Sequence, residues 1–207
     1  FADVIDGEAP TQFFPNMGID TVYSSVSRYL EVNIENLILT EAAGDFSWAG
    51  GNDLNNQLTG NSFSNSLYAY AGNDTLKGLG GNDSLWGYSG NDNLNGGDGD
   101  DFISGDEGTD TLTGGVGADL FYFWAEDNSP NSNLRDSIKD FKSSEGDKID
   151  ISSIDADAGT IGNEAFASWQ ISYDPISHVL SADVLNSSTD FSVNLTGLGP
   201  GFSLADS

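Results

Sequence analysis

The chain contains no cysteine and very few basic residues, and both deficits restrict what it can be. Without cysteine, no disulfide stabilises the fold and no thiolate metal centre can form. Its 207 residues include 6 Lys and Arg against 33 Asp and Glu, a formal net charge of −27. Because Lys and Arg are the main ligands of phosphate groups, this balance excludes nucleic acid as a partner and disfavours anionic membrane surfaces. Cations are the natural counterpart of such a chain.

Long hydrophobic runs are also missing. No apolar run approaches the roughly 20 residues of a membrane-spanning helix, so the sequence predicts no membrane span. The first residue is Phe1, and no basic segment with an apolar segment follows it, so we expect either a piece of a longer protein or an export signal elsewhere. Aromatic residues make up 11% of the chain, which favours a folded core over a disordered acidic tail. Without disulfides, bound metal is the usual stabiliser of such a chain.

A repeat of nine residues is the strongest feature of the sequence. From Gly51 to Tyr122 the chain divides into eight such units without an insertion. The sixth position is Asn or Asp throughout: Asn56, Asn65, Asp74, Asp83, Asp92, Asp101, Asp110 and Asp119. The eighth position is apolar throughout: Leu58, Leu67, Leu76, Leu85, Leu94, Ile103, Leu112 and Phe121. The fourth position is glycine in the last six units (Gly72, Gly81, Gly90, Gly99, Gly108 and Gly117), and the first is often glycine as well (for example Gly78, Gly87, Gly96 and Gly105).

These columns predict an all-β fold, a right-handed parallel β-roll of nonapeptide repeats with N-terminal and C-terminal β caps. The first six positions of each unit are predicted to form a turn, in which glycine permits left-handed backbone and carbonyl groups point inward. The last three positions are predicted to form a short strand whose middle residue faces the core. Such a strand cannot bury its apolar side alone, so copies must stack. Two units complete one coil, which places residues 18 apart one above the other at about 4.8 Å.

Stacking of this kind brings aspartates together in two rows. Asp74, Asp92 and Asp110 are predicted at one edge of the roll, and Asp83, Asp101 and Asp119 at the other. Like charges this close repel by roughly 3–4 kcal/mol per pair at an effective dielectric of about 20, so the roll without a bound cation is expected to be loose or unfolded.

A cation between neighbouring coils reverses the sign of this interaction. Carboxylates and glycine carbonyls offer only oxygen ligands, which calcium prefers. Four strong sites are predicted, at Asp74/Asp92, Asp92/Asp110, Asp83/Asp101 and Asp101/Asp119. Two weaker sites are predicted at Asn65/Asp83 and Asn56/Asp74, unless those first coils form a metal-free cap.

The columns match the pattern G-G-x-G-x-D-x-U-x, as in the units GGDGDDFIS and GGVGADLFY. The chain thus resembles the RTX (repeats-in-toxin) family of hemolysin-type calcium-binding proteins. The resemblance implies a parallel β-roll with calcium in its turns, export from bacteria by type I secretion machinery as an unfolded chain, and folding in extracellular calcium.

The flanks complete a predicted division into three parts. Residues 1–50 are predicted as an N-terminal β cap or lead-in, 51–122 as the calcium-binding roll, and 123–207 as a C-terminal β cap with a secretion-signal region. The stretches IDTVYSSVS and NIENLILT resemble the lead-in of RTX proteins, and DSIKDFKSSEGDKIDIS resembles their C-terminal cap. The latter resemblance implies an extra calcium at Asp136, Asp140, Asp147 and Asp150, with solvated strand ends as the alternative.

Three further groups of residues stand outside the repeat columns. Tyr68, Tyr70, Trp86 and Tyr88 form pairs 18 residues apart at outward positions, so they predict either a glycan or partner platform or packing against a cap. Arg135, Lys139, Lys142 and Lys148 form a basic cluster, read as a solvated face paired with neighbouring acids rather than an anion patch. The only histidine, His178, has no nucleophile motif near it, and no H-E-x-x-H is present.

The sequence therefore predicts a non-catalytic, calcium-binding module for calcium-dependent folding and secretion of a larger extracellular bacterial protein. The alternative is a polysaccharide-binding module, similar to the repeat modules of alginate epimerases, in a secreted carbohydrate-active enzyme or adhesin. An intact small enzyme is the third and least supported reading.

Overall fold

The structure, a computed structural model, describes residues 18–124 and 135–151, together with the backbone of 171–174, 179–182 and 191–195. The strands are β1 (Thr21–Ser24), β2 (Arg28–Tyr29), β3 (Asn36–Leu39), β4 (Ser47–Gly50), β5 (Gln57–Thr59), β6 (Asn65–Ala71), β7 (Thr75–Gly80), β8 (Ser84–Gly90), β9 (Asn93–Asp98), β10 (Phe102–Ser104), β11 (Glu107–Gly108), β12 (Thr111–Val116), β13 (Leu120–Tyr122), β14 (Ser137–Ile138), β15 (Lys148–Asp150), β16 (Ile171–Asp174), β17 (Val179–Ala182) and β18 (Phe191–Leu195). One 3-10 turn covers Glu41–Ala43. Within the described residues, no helix is long and apolar enough to cross a membrane.

Two sheets face each other, and successive repeat units alternate between them. One sheet has the order β1-β3-β5-β7-β9-β12-β14-β18-β17-β16, and the other β15-β13-β10-β8-β6-β4-β2, with β11 also paired to β8. Within the repeats all pairing is parallel, and the register joins residues 18 apart, such as Leu76 with Leu94 and Leu67 with Leu85. The predicted parallel β-roll with two units per coil is therefore confirmed.

The core is a single column of apolar side chains between the sheets. All eight eighth-position residues have no solvent exposure. This follows from strand geometry, because the sixth and eighth positions share the inward face while the seventh and ninth point outward. Burial of a whole leucine side chain contributes roughly 1.5–3 kcal/mol, so each coil adds its own increment to stability.

Five of the repeat strands, β6 to β9 and β12, are longer than the three residues expected from the repeat, whereas β5, β10 and β13 have that length. β6, β8 and β9 each run on past the ninth position into the next unit, where the chain passes a left-handed residue. Position two has positive φ in six successive units, at Tyr70, Leu79, Tyr88, Gly97, Asp106 and Gly115. The fourth-position glycines have positive φ as expected, from Gly72 to Gly117. Each unit thus bends the chain at two left-handed positions, and only the fourth one is reserved for glycine.

The flanks extend the sheets beyond the repeat columns. β4 pairs with β6 in the 18-residue register, and β3 pairs with β5 across 21 residues, so the lead-in coils lie in the same sheets as the roll. At the other end β14 pairs with β12 and β15 with β13, both in parallel. β16, β17 and β18 are antiparallel neighbours, and β18 also pairs with β14 in parallel.

Candidate functional site: two rows of buried aspartates

The sixth-position side chains are buried, with 1–3% of their surface exposed. They form two hydrogen-bonded rows, one along each edge of the roll. The backbone N–H of each residue donates to Oδ1 of the sixth-position residue one coil later, across 2.6–3.0 Å. From Asp74 onward the repeat thus uses one carboxylate oxygen to hold adjacent coils in register. At the start of each row, Oδ1 of Asn56 and of Asn65 accepts the N–H of Asn52 and of Asn61 within its own turn.

The second carboxylate oxygen has no such partner. Oδ2 is buried and without a hydrogen-bond partner in Asp74, Asp83, Asp92, Asp101 and Asp119. A buried, unsatisfied carboxylate oxygen is costly, so a native fold is expected to supply a ligand for it. Cation binding would satisfy all five atoms at once.

Backbone oxygens approach the same places. A Cβ added to Gly87 would lie 2.5 Å from Asp92 Oδ2 and 2.5 Å from the carbonyl oxygen of Gly105, one coil later. A Cβ on Gly78 would likewise meet Asp83 Oδ2 and the carbonyl oxygen of Gly96. Glycine at the first position therefore leaves open a space in which oxygens of two successive coils converge.

Burial makes these carboxylates hard to ionise without a cation. Desolvation raises the pKa of Asp74 and Asp119 to about 6, of Asp83 and Asp101 to about 7, and of Asp92 to about 8. The backbone hydrogen bonds lower the pKa values, but by less, and neighbouring aspartates raise that of Asp92 further. The rows therefore resist ionisation mainly because they are buried, and repulsion between neighbouring aspartates adds to this at Asp92, Asp101 and Asp119.

The donor set fits calcium. Each pair of stacked turns offers carboxylate and carbonyl oxygens, and calcium takes six to eight oxygen ligands in flexible geometry. No three acidic, His or Cys side chains meet as a metal-binding group among the described residues, so each site would use two carboxylates and depend on glycine carbonyls for the rest. We propose that the row aspartates and the glycine carbonyls beside them are the calcium ligands.

The four aspartates of the C-terminal segment lie in different places. Asp136 extends one row, because its Oδ1 accepts the N–H of Asp110 at 2.7 Å. Asp147 extends the other row and accepts the N–H of Asp119 at 3.1 Å. The carboxylate of Asp140 accepts the N–H groups of Gly114 and Gly115 instead, and Asp150 pairs with Tyr122 in strand register.

The rows thus continue for one residue each beyond the repeat columns. The repeat did not predict this continuation, because Asp136 follows Asp110 by 26 residues and Asp147 follows Asp119 by 28, rather than by 18. We propose calcium at Asp110/Asp136 and Asp119/Asp147 in addition to the pairs predicted from the repeat.

A third ladder, at position five, was not expected from the sequence. The Asn55 side chain accepts the N–H of Asn73, and Asn73 in turn accepts that of Asn91, both at 2.8 Å. The other edge has the same arrangement, where Asp100 accepts the N–H of Ala118. These bonds run in the opposite chain direction to those of position six and are exposed, so they tie the coils together without a metal. The recurring Asn at position five is the feature of the sequence that could have predicted this ladder.

The outward aromatic residues contact one another along the second sheet. The rings of Tyr70 and Tyr88 stack at 5.4 Å with planes 3° apart, and Tyr70 also contacts Tyr29 of the lead-in at 6.2 Å. Trp86 contacts Tyr88 at 6.4 Å, and Tyr68 pairs with Trp86 in strand register. The contact with Tyr29 agrees with packing against the N-terminal segment, while glycan binding stays a prediction.

The basic cluster is partly paired. Lys142 forms an ion pair with Glu145 at 3.2 Å, and Lys139 Nζ donates to Ser137 Oγ. Arg135 and Lys148 lie in the same segment but have no ion pair among the described residues. His178 lies outside the described residues.

Two comparisons with known proteins found matches. The family model of the RTX calcium-binding nonapeptide repeat matches residues 50–85 and 86–121. Among solved structures, the chain is similar to the AlgE6R3 subunit of the Azotobacter vinelandii mannuronan C5-epimerase, with 32% identity over 70% of this chain and 72% of that one, and a TM-score of 0.27. No curated protein matches the chain. The matched repeats and the aspartate rows together place the chain in the RTX calcium-binding nonapeptide repeat family.

Proposed function

We propose that this chain is a non-catalytic module whose folding is driven by calcium and which belongs to a larger secreted bacterial protein. The observation that supports the proposal is the set of buried Oδ2 atoms without hydrogen-bond partners, aligned in two rows. Because a preformed site does not exist in an unfolded chain, the free energy of calcium binding becomes free energy of folding.

The physical consequence is a switch between two compartments. Where calcium is scarce, repulsion and desolvation of the rows favour the unfolded chain, which is the form that type I secretion machinery would export. Extracellular modules typically bind calcium with dissociation constants of about 10⁻⁴–10⁻³ M, so the chain would fold once outside the cell. Each bound ion removes two units from the net charge of −27.

Circular dichroism tests this proposal directly. The dialysed chain is titrated with calcium at constant ionic strength, and magnesium serves as the matched control because it requires a smaller, near-octahedral shell. We expect a cooperative gain of β signal with calcium and little with magnesium. A full β spectrum in EGTA that calcium does not change would refute calcium-dependent folding.

A polysaccharide-binding role is the second candidate. The outward rings of Tyr70 and Tyr88, which are 36% and 37% exposed, favour it. Affinity electrophoresis against neutral glucans and polyuronates, with Trp86→Ala for comparison, distinguishes the two candidates. Equal mobility with and without every glycan removes this candidate and leaves the calcium proposal intact.

A further inference from the structure

The outer face of the second sheet has a chain of aromatic contacts that continues beyond the residues already described. Phe102 contacts Trp86 at 4.7 Å and Tyr122 at 5.6 Å. We call the rings on this face the aromatic strip: Tyr68, Tyr70, Trp86, Tyr88, Phe102 and Tyr122. Large outward rings on one sheet mark a surface that differs from the opposite sheet, whose outward positions are mainly Thr, Asn, Gln and Lys.

The coil that contains Phe102 lacks an aromatic residue at two other outward positions. Ser104 lies beside Trp86 in the strand register, and the pairing of Glu107 with Ser89 places Asp106 beside Tyr88. Both aromatic positions of the preceding coil are therefore replaced by small polar groups, and the strip resumes at Tyr122 in the following coil. The notch that remains lies at the half-buried Asp106 beside Tyr88, because Ser104 is fully buried and the ring of Phe102, in the same coil, contacts those of Trp86 and Tyr122 at 4.7 and 5.6 Å.

The carboxylate at the floor of this notch is held in place. Ser104, which has no solvent exposure, donates its hydroxyl hydrogen to the carboxylate of Asp106. Asp106 adopts a left-handed backbone conformation with φ 63°, which Asp and Asn accept more readily than other residues with a Cβ. The strand register places Tyr88 between Tyr70 and Asp106, so Asp106 lies on the side of Tyr88 that is turned away from Tyr70.

No cation of this chain neutralises Asp106. All six Lys and Arg lie within the described residues, and none of them pairs with this carboxylate there. Calcium is poorly matched, because one carboxylate and one hydroxyl fall short of its six to eight oxygen ligands. An organic cation is well matched, since ammonium and guanidinium groups are attracted both to a carboxylate and to the faces of Trp and Tyr rings.

We propose that the Asp106 notch, formed by Trp86, Tyr88, Phe102, Ser104 and Asp106, binds an ammonium or guanidinium group. The cation would lie against the exposed face of Tyr88 and pair with Asp106, while the indole of Trp86 and the ring of Phe102 bound its apolar part. This site is separate from the aspartate rows, because Asp106 points outward from the roll and the rows face its interior.

The test uses the full chain loaded with calcium, followed by aromatic proton–carbon NMR spectra at constant ionic strength. The probes are tetramethylammonium and ethylguanidinium, with tert-butanol and ethylurea as neutral analogues of similar shape. We expect saturable shifts of the Tyr88 and Trp86 ring signals with the cations alone. Equal shifts with the neutral analogues, or no saturable shift with either cation, overturn the proposal.

Two variants localise the binding. Asp106→Asn keeps an acceptor for Ser104, and Asn tolerates a left-handed backbone, so the fold is retained while affinity falls by about tenfold or more. Tyr88→Leu is sterically feasible because Leu79 occupies the same left-handed position in the neighbouring unit, and loss of the ring should weaken binding about three- to thirtyfold. Circular dichroism confirms that both variants still fold with calcium.

A matched control separates this site from the general acidity of the chain. Asp98→Asn removes the same charge from an exposed position on the other sheet, and affinity should stay at the wild-type value. An equal loss in Asp98→Asn and Asp106→Asn would refute a localised site.

A peptide with a single Arg, compared with free ethylguanidinium and with the same peptide carrying Gln, distinguishes the source of the cation. Tighter binding of the Arg peptide indicates a side chain of a partner protein, and equal binding indicates a small molecule.

Discussion

Replacement of Asp92 by Asn should have opposite effects with and without calcium. Asn retains an Oδ1 that can accept the N–H of Asp74, as Oδ1 of Asp92 does at 2.7 Å. Asn also occupies the sixth position of the repeat at Asn56 and Asn65. The substitution therefore removes one charge from a row while leaving the coil geometry unchanged.

The magnitude without calcium follows from the pKa of Asp92. Burial raises this pKa from 3.8 to about 8, so at pH 7 the calcium-free folded chain keeps mostly protonated a group that ionises freely when unfolded. The roughly three units between pH 7 and the ordinary pKa of an aspartate correspond to about 4 kcal/mol of lost stability. Asp92→Asn should restore this free energy to the calcium-free fold. That is a large fraction of the 5–15 kcal/mol that stabilises a typical domain.

The effect in calcium has the opposite sign. Asp92 is proposed to serve two sites, with Asp74 and with Asp110, and a unit charge about 4 Å from another contributes roughly 4 kcal/mol at an effective dielectric of about 20. Since each 1.4 kcal/mol is about a factor of ten, the calcium midpoint should rise by tenfold or more.

Two titrations measure this pair of effects. Trimethylamine N-oxide, which favours compact states, is titrated into the calcium-free chain, and calcium is titrated in a second series, both followed by circular dichroism. Asp92→Asn should fold at lower osmolyte concentration and at higher calcium concentration than wild type, whereas Asp98→Asn should change neither midpoint appreciably. If Asp92→Asn also impairs calcium-free folding, the electrostatic account of the rows is wrong.

Three further predictions concern the same coils. The raised pKa values of the row aspartates mean that calcium-free stability is present near pH 4 and lost as pH rises through 6 to 8; the calcium-free chain should therefore gain β signal between pH 8 and pH 5, and a signal that falls would contradict this. Gly90→Ala should prevent calcium-dependent folding, because Gly90 has φ 139° and an added Cβ would collide with the carbonyl oxygen of Gly72, whereas Gly80→Ala should fold normally because its nearest neighbours would be 3.8 Å away; equal circular dichroism of the two variants would refute this. Leu94→Ala should lower the free energy of unfolding in calcium by about 2–5 kcal/mol in urea titrations, while the exposed Asn95→Ala changes it by about 0.5 kcal/mol or less, and similar midpoints for both would contradict the proposed core.

The repeat columns predicted the roll well because each column reflects a local property of the chain, such as which side of a strand faces the core. An apolar residue at every eighth position and an Asp or Asn at every sixth are sufficient to predict the inward face, the 18-residue register and the pairing of aspartates. The left-handed conformation of Tyr70, Leu79 and Tyr88 could not be predicted in this way, since tyrosine and leucine do not favour it in isolation. Stacking of neighbouring coils imposes it.

The nine-residue repeat also did not predict where the roll begins and ends. Asp136 and Asp147 extend the rows although their spacing departs from 18, because hydrogen bonding to Asp110 and Asp119 depends on position in space rather than along the chain. The lead-in strand β4 joins the same sheet before the first nonapeptide begins.

Composition and the nine-residue period were enough to establish the fold class, the family and calcium as the expected ion, because charge, periodicity and glycine placement are local properties of the chain. The identity of the atoms left unsatisfied depended on tertiary contacts, since only the stacked coils show that Oδ1 is used by the neighbouring backbone and Oδ2 is not. The Asp106 notch is likewise a product of stacking, because Ser104, Asp106 and Tyr88 become neighbours only when one coil lies upon the next.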